Sequence, residues 1–133
     1  MSKMIFMSPE HVARMNEILA ADVASKAACA ALDRRWDMVY ELSRGMDTVW
    51  WTMSFDPENG VSFSLVPPQR PGDILYRGEH KSMLNWMRRS KAGEAVEPMP
   101  LEQLGDPNGM NIIGPAFTAA QQVATLDTDI RVD

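Results

Sequence analysis

Between Thr48 and Leu65 the chain has little freedom of fold. Val49, Trp51, Met53 and Phe55 alternate with Trp50, Thr52 and Ser54, a period of two that gives a strand one strongly apolar face. Asp56-Pro57-Glu58-Asn59-Gly60 then reads as a turn, Asn-Gly being able to take positive φ, and Val61, Phe63 and Leu65 alternate with Ser62 and Ser64 on the way back. The segment is predicted as a hairpin with an aromatic and thioether face that other elements must cover. Trp50 and Trp51 point to opposite sides, so one serves the core. The other meets solvent, the N-terminal helices or a second chain, which leaves room for a homo-oligomer.

The flanking sequence supplies that cover. Ser8-Pro9-Glu10 combines an N-cap serine, proline at the first helical position and an acid in the first turn, and Val12, Met15, Ile18, Leu19 and Val23 recur at helical steps. The pattern resumes through Leu32, Trp36, Val39, Tyr40 and Leu42, with Gly45 as a helix stop, so one very long or two consecutive helices are predicted over 8–44. After the hairpin, Pro67 to Gly72 reads as a connection along the sheet edge, Asp73 to Arg77 as a short strand, and His80 to Arg89 as a helix with an apolar stripe at 83, 84, 86 and 87, ended by Gly93. Arg88-Arg89-Ser90-Lys91 complements that helix's dipole. Glu94 to Gly109 reads as loop with a short helix at Leu101–Leu104. Asp106-Pro107-Asn108 opens a last helix, which Pro115 should kink or divide.

Composition bounds the function. The chain has 133 residues, 45% of them hydrophobic, which suits a single domain over 1–133 with ends fraying at 1–7 and 127–133. Thirteen basic against eighteen acidic side chains give a net charge of −5, which argues against a nucleic-acid partner. One cysteine, Cys29, and two histidines exclude a disulfide framework and a multi-cysteine zinc site, so no metal or cofactor is expected and the setting reads as cytoplasmic. Cys29 has no base beside it and reads as a small buried residue. The apolar stretch before Ser8 is too short for a secretory signal, and no run reaches the ~20 residues of an integral membrane segment.

The layout resembles the sterol carrier protein type-two domain, the nonspecific lipid-transfer fold. Trp51-Thr52-Met53-Ser54-Phe55-Asp56 before Asn59-Gly60 looks like that family's strand, turn and returning strand, and Asp73-Ile74-Leu75-Tyr76 like its third strand. Ser82-Met83-Leu84-Asn85-Trp86-Met87 through Gly93 is similar to the helix that follows. Leu104-Gly105-Asp106 and the stretch Met110 to Ala120 are similar to its last strand, corner and lid-like helix. The resemblance covers roughly residues 30–123. It implies an α+β fold in which an antiparallel sheet of about five strands is covered by helices, here with a long helical N-terminal region, and an apolar tunnel between the layers for a sterol, fatty acyl chain or similar molecule. Arg131-Val132-Asp133 is not a peroxisomal address of the Ser-Lys-Leu type, so that setting does not carry over.

Eleven methionines support the same direction, because unbranched thioether chains adapt to irregular apolar ligands. Met83, Met87, Met99 and Met110 fall in the half that would cover the sheet, whereas Met1, Met4 and Met7 read as unrelated. The expected ligand wall is Trp51, Met53, Phe63, Met83, Trp86, Met87, Met110, Ile113 and Phe117, with Tyr76 or His80 as its polar anchor. The expected function is binding or carriage of a lipophilic small molecule. Two alternatives stay open: a cofactor-free isomerase or lyase using Tyr76 and His80 for proton transfer on a hydrophobic ketone or aromatic substrate, and an oligomeric interaction module built around Trp50.

Overall fold

The computed structural model describes residues 3–131. In chain order the elements are β1 (Met4–Ile5), α1 (Pro9–Ala20), α2 (Val23–Ala30), β2 (Trp36–Arg44), β3 (Asp47–Asp56), β4 (Gly60–Ser64), β5 (Ile74–Glu79), α3 (His80–Lys91), β6 (Leu101–Gly105), α4 (Gly109–Ala124) and β7 (Thr128–Asp129). The main sheet runs β4-β3-β2-β5-β6, and β1 and β7 form a separate parallel pair. The fold is α+β, as expected, with five strands under four helices.

The N-terminal region departs from its expected form. Ser8 caps α1 as anticipated, its Oγ accepting from the His11 N–H at 3.2 Å. Asp22 then starts a second helix by accepting from the Ser25 N–H at 2.8 Å. Helix ends at Ala30, however, and Trp36–Arg44 is a strand. Trp36, Met38, Tyr40 and Leu42 fit a period of two as well as a helical step, and pairing on both edges decides between them. Gly45 is therefore not a helix stop. It occupies the first position of the two-residue turn between the paired Arg44 and Asp47, with φ +63°, where a side chain would be strained.

The sheet is mixed rather than wholly antiparallel. β2 pairs antiparallel with β3, Trp36 opposite Phe55 and Tyr40 opposite Trp51, but parallel with β5, Met38 opposite Ile74 and Tyr40 opposite Tyr76. A parallel neighbour requires the chain to return across the sheet. Residues 65–73 make that return over the face bearing Asp37 and Val39, and do not follow the edge: Gly72 lies so close that a β-carbon there would come within 2.7 Å of Val39 Cγ2. Leu101–Gly105 is a strand paired with β5, not a helix. Pro115 neither divides nor ends α4, which stays helical from Gly109 to Ala124. Pro115 and Asn111, whose carbonyl loses its partner, are both exposed to water. At the ends expected to fray, Met4–Ile5 pairs with Thr128–Asp129.

Register sorts the sheet into two faces. Trp36, Met38, Tyr40, Leu42, Trp51, Met53, Phe55, Val61 and Phe63 share one, which the helices cover. The opposite face carries Asp37, Val39, Thr52 and Ser54 under the 65–73 connection, with Trp50 half-buried on the same side. Asp37 is the buried charge that holds this connection. Its carboxylate accepts from Ser54 Oγ at 2.7 Å, Arg35 Nε at 3.1 Å and Arg70 Nε at 3.0 Å. Its backbone N–H donates to Asp73 Oδ2 at 2.8 Å. Burial alone pushes the Asp37 carboxyl up, but the bonds from Ser54, Arg35 and Arg70 outweigh it and hold the group below its ordinary value.

A carboxyl depressed in the native state stabilises the fold above the ordinary carboxylate range and loses that contribution as pH falls through the native value. Asp37→Asn is expected to lower stability at pH 7 by about 2 kcal/mol, the half-exposed arginines keeping the loss below that of a fully buried pair. It should also flatten the decline that the unaltered protein shows below about pH 4. Urea unfolding across pH 3–7 checks both, and identical acid sensitivity in the two proteins would remove Asp37 as the responsible group.

Candidate functional site

The apolar face is wider than any one helix can cover, and its buried residues fall into two clusters. One joins Val12, Met15, Leu19, Met38, Trp51, Met53, Phe55, Ile113 and the alanines of α4. The other joins Leu42 to Met83 and Leu84 of α3. A pocket of about 640 Å3 lies along the seam between them. Met38, Tyr40, Trp51, Met53 and Phe63 form its floor. α3 contributes Met83, Trp86 and Met87, α4 contributes Phe117, Ala120 and Ala124, and α1 contributes His11 and Met15. Phe6 and Met7 after β1, with Thr128 and Ile130 around β7, complete one rim.

The sequence explains why space remains. The inward stripe of α4 is Ile113, Ala116, Ala120 and Ala124, and α2 packs against this helix. Alanine permits close backbone approach but leaves volume unfilled over the sheet. The loop between α3 and β6 is strapped to α3 by Trp86 Nε1–H donating to the Glu97 carbonyl at 2.5 Å and by the Arg89–Glu97 ion pair at 2.6 Å, which brings Met99 onto the wall. Lys91 ties the far rim, its Nζ donating to Asp127 Oδ1 at 2.8 Å and to the Thr128 carbonyl at 2.5 Å.

Of the residues expected on the wall, Trp51, Met53, Phe63, Met83, Trp86, Met87 and Phe117 come together there. Met110, Ile113, Tyr76 and His80 do not. Ile113 is fully buried in the core beneath α4, and Met110 packs against that core. Tyr76 stacks on Tyr40, ring centroids 4.9 Å apart, and of these register partners it is Tyr40 that reaches the pocket. His80 sits at the start of α3, half-buried, where burial and the Arg44 charge lower its pKa. Tyr76 and His80, the pair named for proton transfer, are thus not on the lining of this pocket. Met7, read as unrelated, lines the pocket, and seven of the chain's eleven methionines do so: Met7, Met15, Met38, Met53, Met83, Met87 and Met99.

The polar groups on the wall were not foreseen. His11 is 3% exposed, and its Nδ1 accepts from the Met7 backbone N–H at 3.1 Å. The ring packs against Trp51 with centroids 5.9 Å apart and against Phe6 at 5.4 Å. Met7 takes a φ of +66°, rare for a side chain of this size, in the turn that delivers this hydrogen bond. Burial lowers the His11 pKa, and protonation would set an Nδ1–H against the Met7 N–H. Tyr40, on the floor, has its pKa raised to about 12 by burial and by Tyr76, so its hydroxyl stays protonated. The signal for His11 in the sequence was its place on the inward side of α1, three residues after the cap. Among the described residues no group of three or more His, Cys, Asp or Glu is arranged to hold a metal, and no helix is long and apolar enough to cross a membrane.

The sequence matches no protein-family model and no curated protein. Solved structures match by shape. A conserved hypothetical protein of Thermus thermophilus, described as a candidate sterol carrier protein, is similar over 100% of this chain and 97% of its own, with a TM-score of 0.59 and 12% identity. A sterol carrier protein 2 is similar over 95% of this chain and 99% of its own, with a TM-score of 0.51 and 12% identity. The chain folds as a sterol carrier protein type-two-like domain.

A histidine whose native pKa is lowered gives stability that is fully present above the unfolded value and declines as pH falls below it toward the native value. The protein is therefore expected to lose thermal stability between about pH 7 and pH 5.5, with His11 and His80 both contributing. His11→Asn should remove part of that slope in melting curves taken across the range. An unchanged slope would show that His11 does not titrate differently on folding.

Proposed function

We propose that the protein binds or carries a lipophilic small molecule in the pocket between its sheet and helices α1, α3 and α4. The observation that carries this reading is the composition of the wall: about 640 Å3, the size of a small-molecule site, faced by seven thioethers and by Phe6, Trp51, Phe63, Trp86 and Phe117. Thioether chains lose little when they rearrange around an irregular guest, whereas a core meant to be solid is filled more uniquely by branched residues. The sterol-carrier-like fold agrees with such a role. The ligand wall in this reading is Trp51, Met53, Phe63, Met83, Trp86, Met87 and Phe117, joined by Phe6, Met7 and His11.

Delipidated protein is expected to take up a fluorescent sterol or a fluorescently labelled fatty acid saturably at micromolar concentrations. Ala124→Phe, which fills the space left by the α4 stripe, should weaken uptake at least about tenfold, a change of ~1.4 kcal/mol, while Ile112→Ala on the exposed side of the same helix should leave it unchanged. Titration by fluorescence checks all three proteins. Absence of saturable uptake in the unaltered protein, or equal uptake by Ala124→Phe with its fold intact, would count against the pocket as the binding site.

A further inference from the structure

Resting on that reading, we infer that His11 is a hydrogen-bond donor to the ligand of the pocket, and that it selects an uncharged lipophile with a flat ring carrying an acceptor oxygen over a fatty carboxylate. The Met7 backbone N–H occupies His11 Nδ1 at 3.1 Å, so the proton of the neutral ring resides on Nε2. Nε2 has no hydrogen-bond partner among the described residues, although the ring is 97% withdrawn from solvent and forms part of the pocket wall. A donor on a pocket wall that no protein group engages is free to bond a ligand oxygen.

The surroundings of the ring specify the rest of the ligand. Phe6, Trp51 and Phe63 stand next to one another on the same wall, with centroids 5.3 Å apart for Phe6 and Trp51 and 5.2 Å for Trp51 and Phe63. These rings are tilted by 33° and 52° to one another, and a ring ligand can stack on one and meet the edge of the next, contacts that a single acyl chain does not make. Charge points the same way. Lys91 is the one lysine or arginine on the lining among the described residues, and it is already committed to Asp127 at an exposed rim. A carboxylate carried to His11 would leave water without a countercharge.

Three naphthalene and alkyl probes separate the possibilities. The unaltered protein is expected to bind 2-acetylnaphthalene more tightly than 2-ethylnaphthalene, which lacks the oxygen, and more tightly than dodecanoate. His11→Asn keeps an acceptor near the Nδ1 position for Met7 but has no donor at the Nε2 position. It should weaken 2-acetylnaphthalene about five- to tenfold more than it weakens 2-ethylnaphthalene, and His11→Gln should restore part of that selective loss. A second readout needs no variant: the carbonyl stretch of bound 2-acetylnaphthalene should shift to lower frequency than in hexane. Binding of both naphthalenes with no selective loss in His11→Asn, or an unshifted carbonyl, overturns the role of His11 and leaves the lipophile site standing. Tighter binding of dodecanoate than of the ketone overturns the neutral-ring class. Failure of the unaltered protein to bind any of the three overturns the pocket reading itself.

Discussion

Everything in this molecule depends on β2 being bonded along both edges. On one side it holds the β3–β4 hairpin, and on the other it holds β5 and β6, so that two ribbons of marginal stability become one five-stranded surface. The parallel join between β2 and β5 forces the chain back across the sheet, and the ion cluster around Asp37 fixes that return segment. The same pairing places Tyr40 beside Trp51 and sets the floor of the pocket. Fold and site therefore share one strand as their reference.

That strand was the part of the sequence hardest to read. Trp36, Val39 and Tyr40 satisfy three- and four-residue steps, Trp36, Met38, Tyr40 and Leu42 satisfy steps of two, and no local rule separates them; a tertiary requirement does. The hairpin was legible because Thr48 to Leu65 fits the shorter period alone, and α3 because its stripe and basic last turn agree. β6 was hidden by its short length and by the prolines around it. On the wall, the aromatic and methionine positions of the hairpin and α3 followed from periodicity. The polar positions did not, because choosing Tyr40 over Tyr76 needs the register of β2 against β5, and finding His11 needs the fold of the chain before α1.

Division of the apolar interior into two clusters is what separates this domain from a solid one. Each cluster is sealed on its own, by Leu19, Phe55 and Ile113 in one and by Leu42 and Leu84 in the other, with residues scarcely exposed at all. Leucine, isoleucine and phenylalanine side chains secure the two ends, and methionines share the middle with aromatic rings. Met15, Met38, Trp51, Met53 and Met83 belong both to these buried clusters and to the pocket lining, so the same side chains serve the core and the wall.

The β1–β7 pair has a practical meaning for anyone handling the protein. Met4–Ile5 and Thr128–Asp129 lie side by side, and Phe6, Met7, Thr128 and Ile130 next to them belong to the pocket rim. Whatever is fused ahead of residue 3 or after residue 131, a purification handle, a fluorophore or a surface tether, is attached close to residues that line the pocket. Immobilising it by either end brings the support near that lining, whereas exposed Met46, in the β2–β3 turn, is not part of the lining.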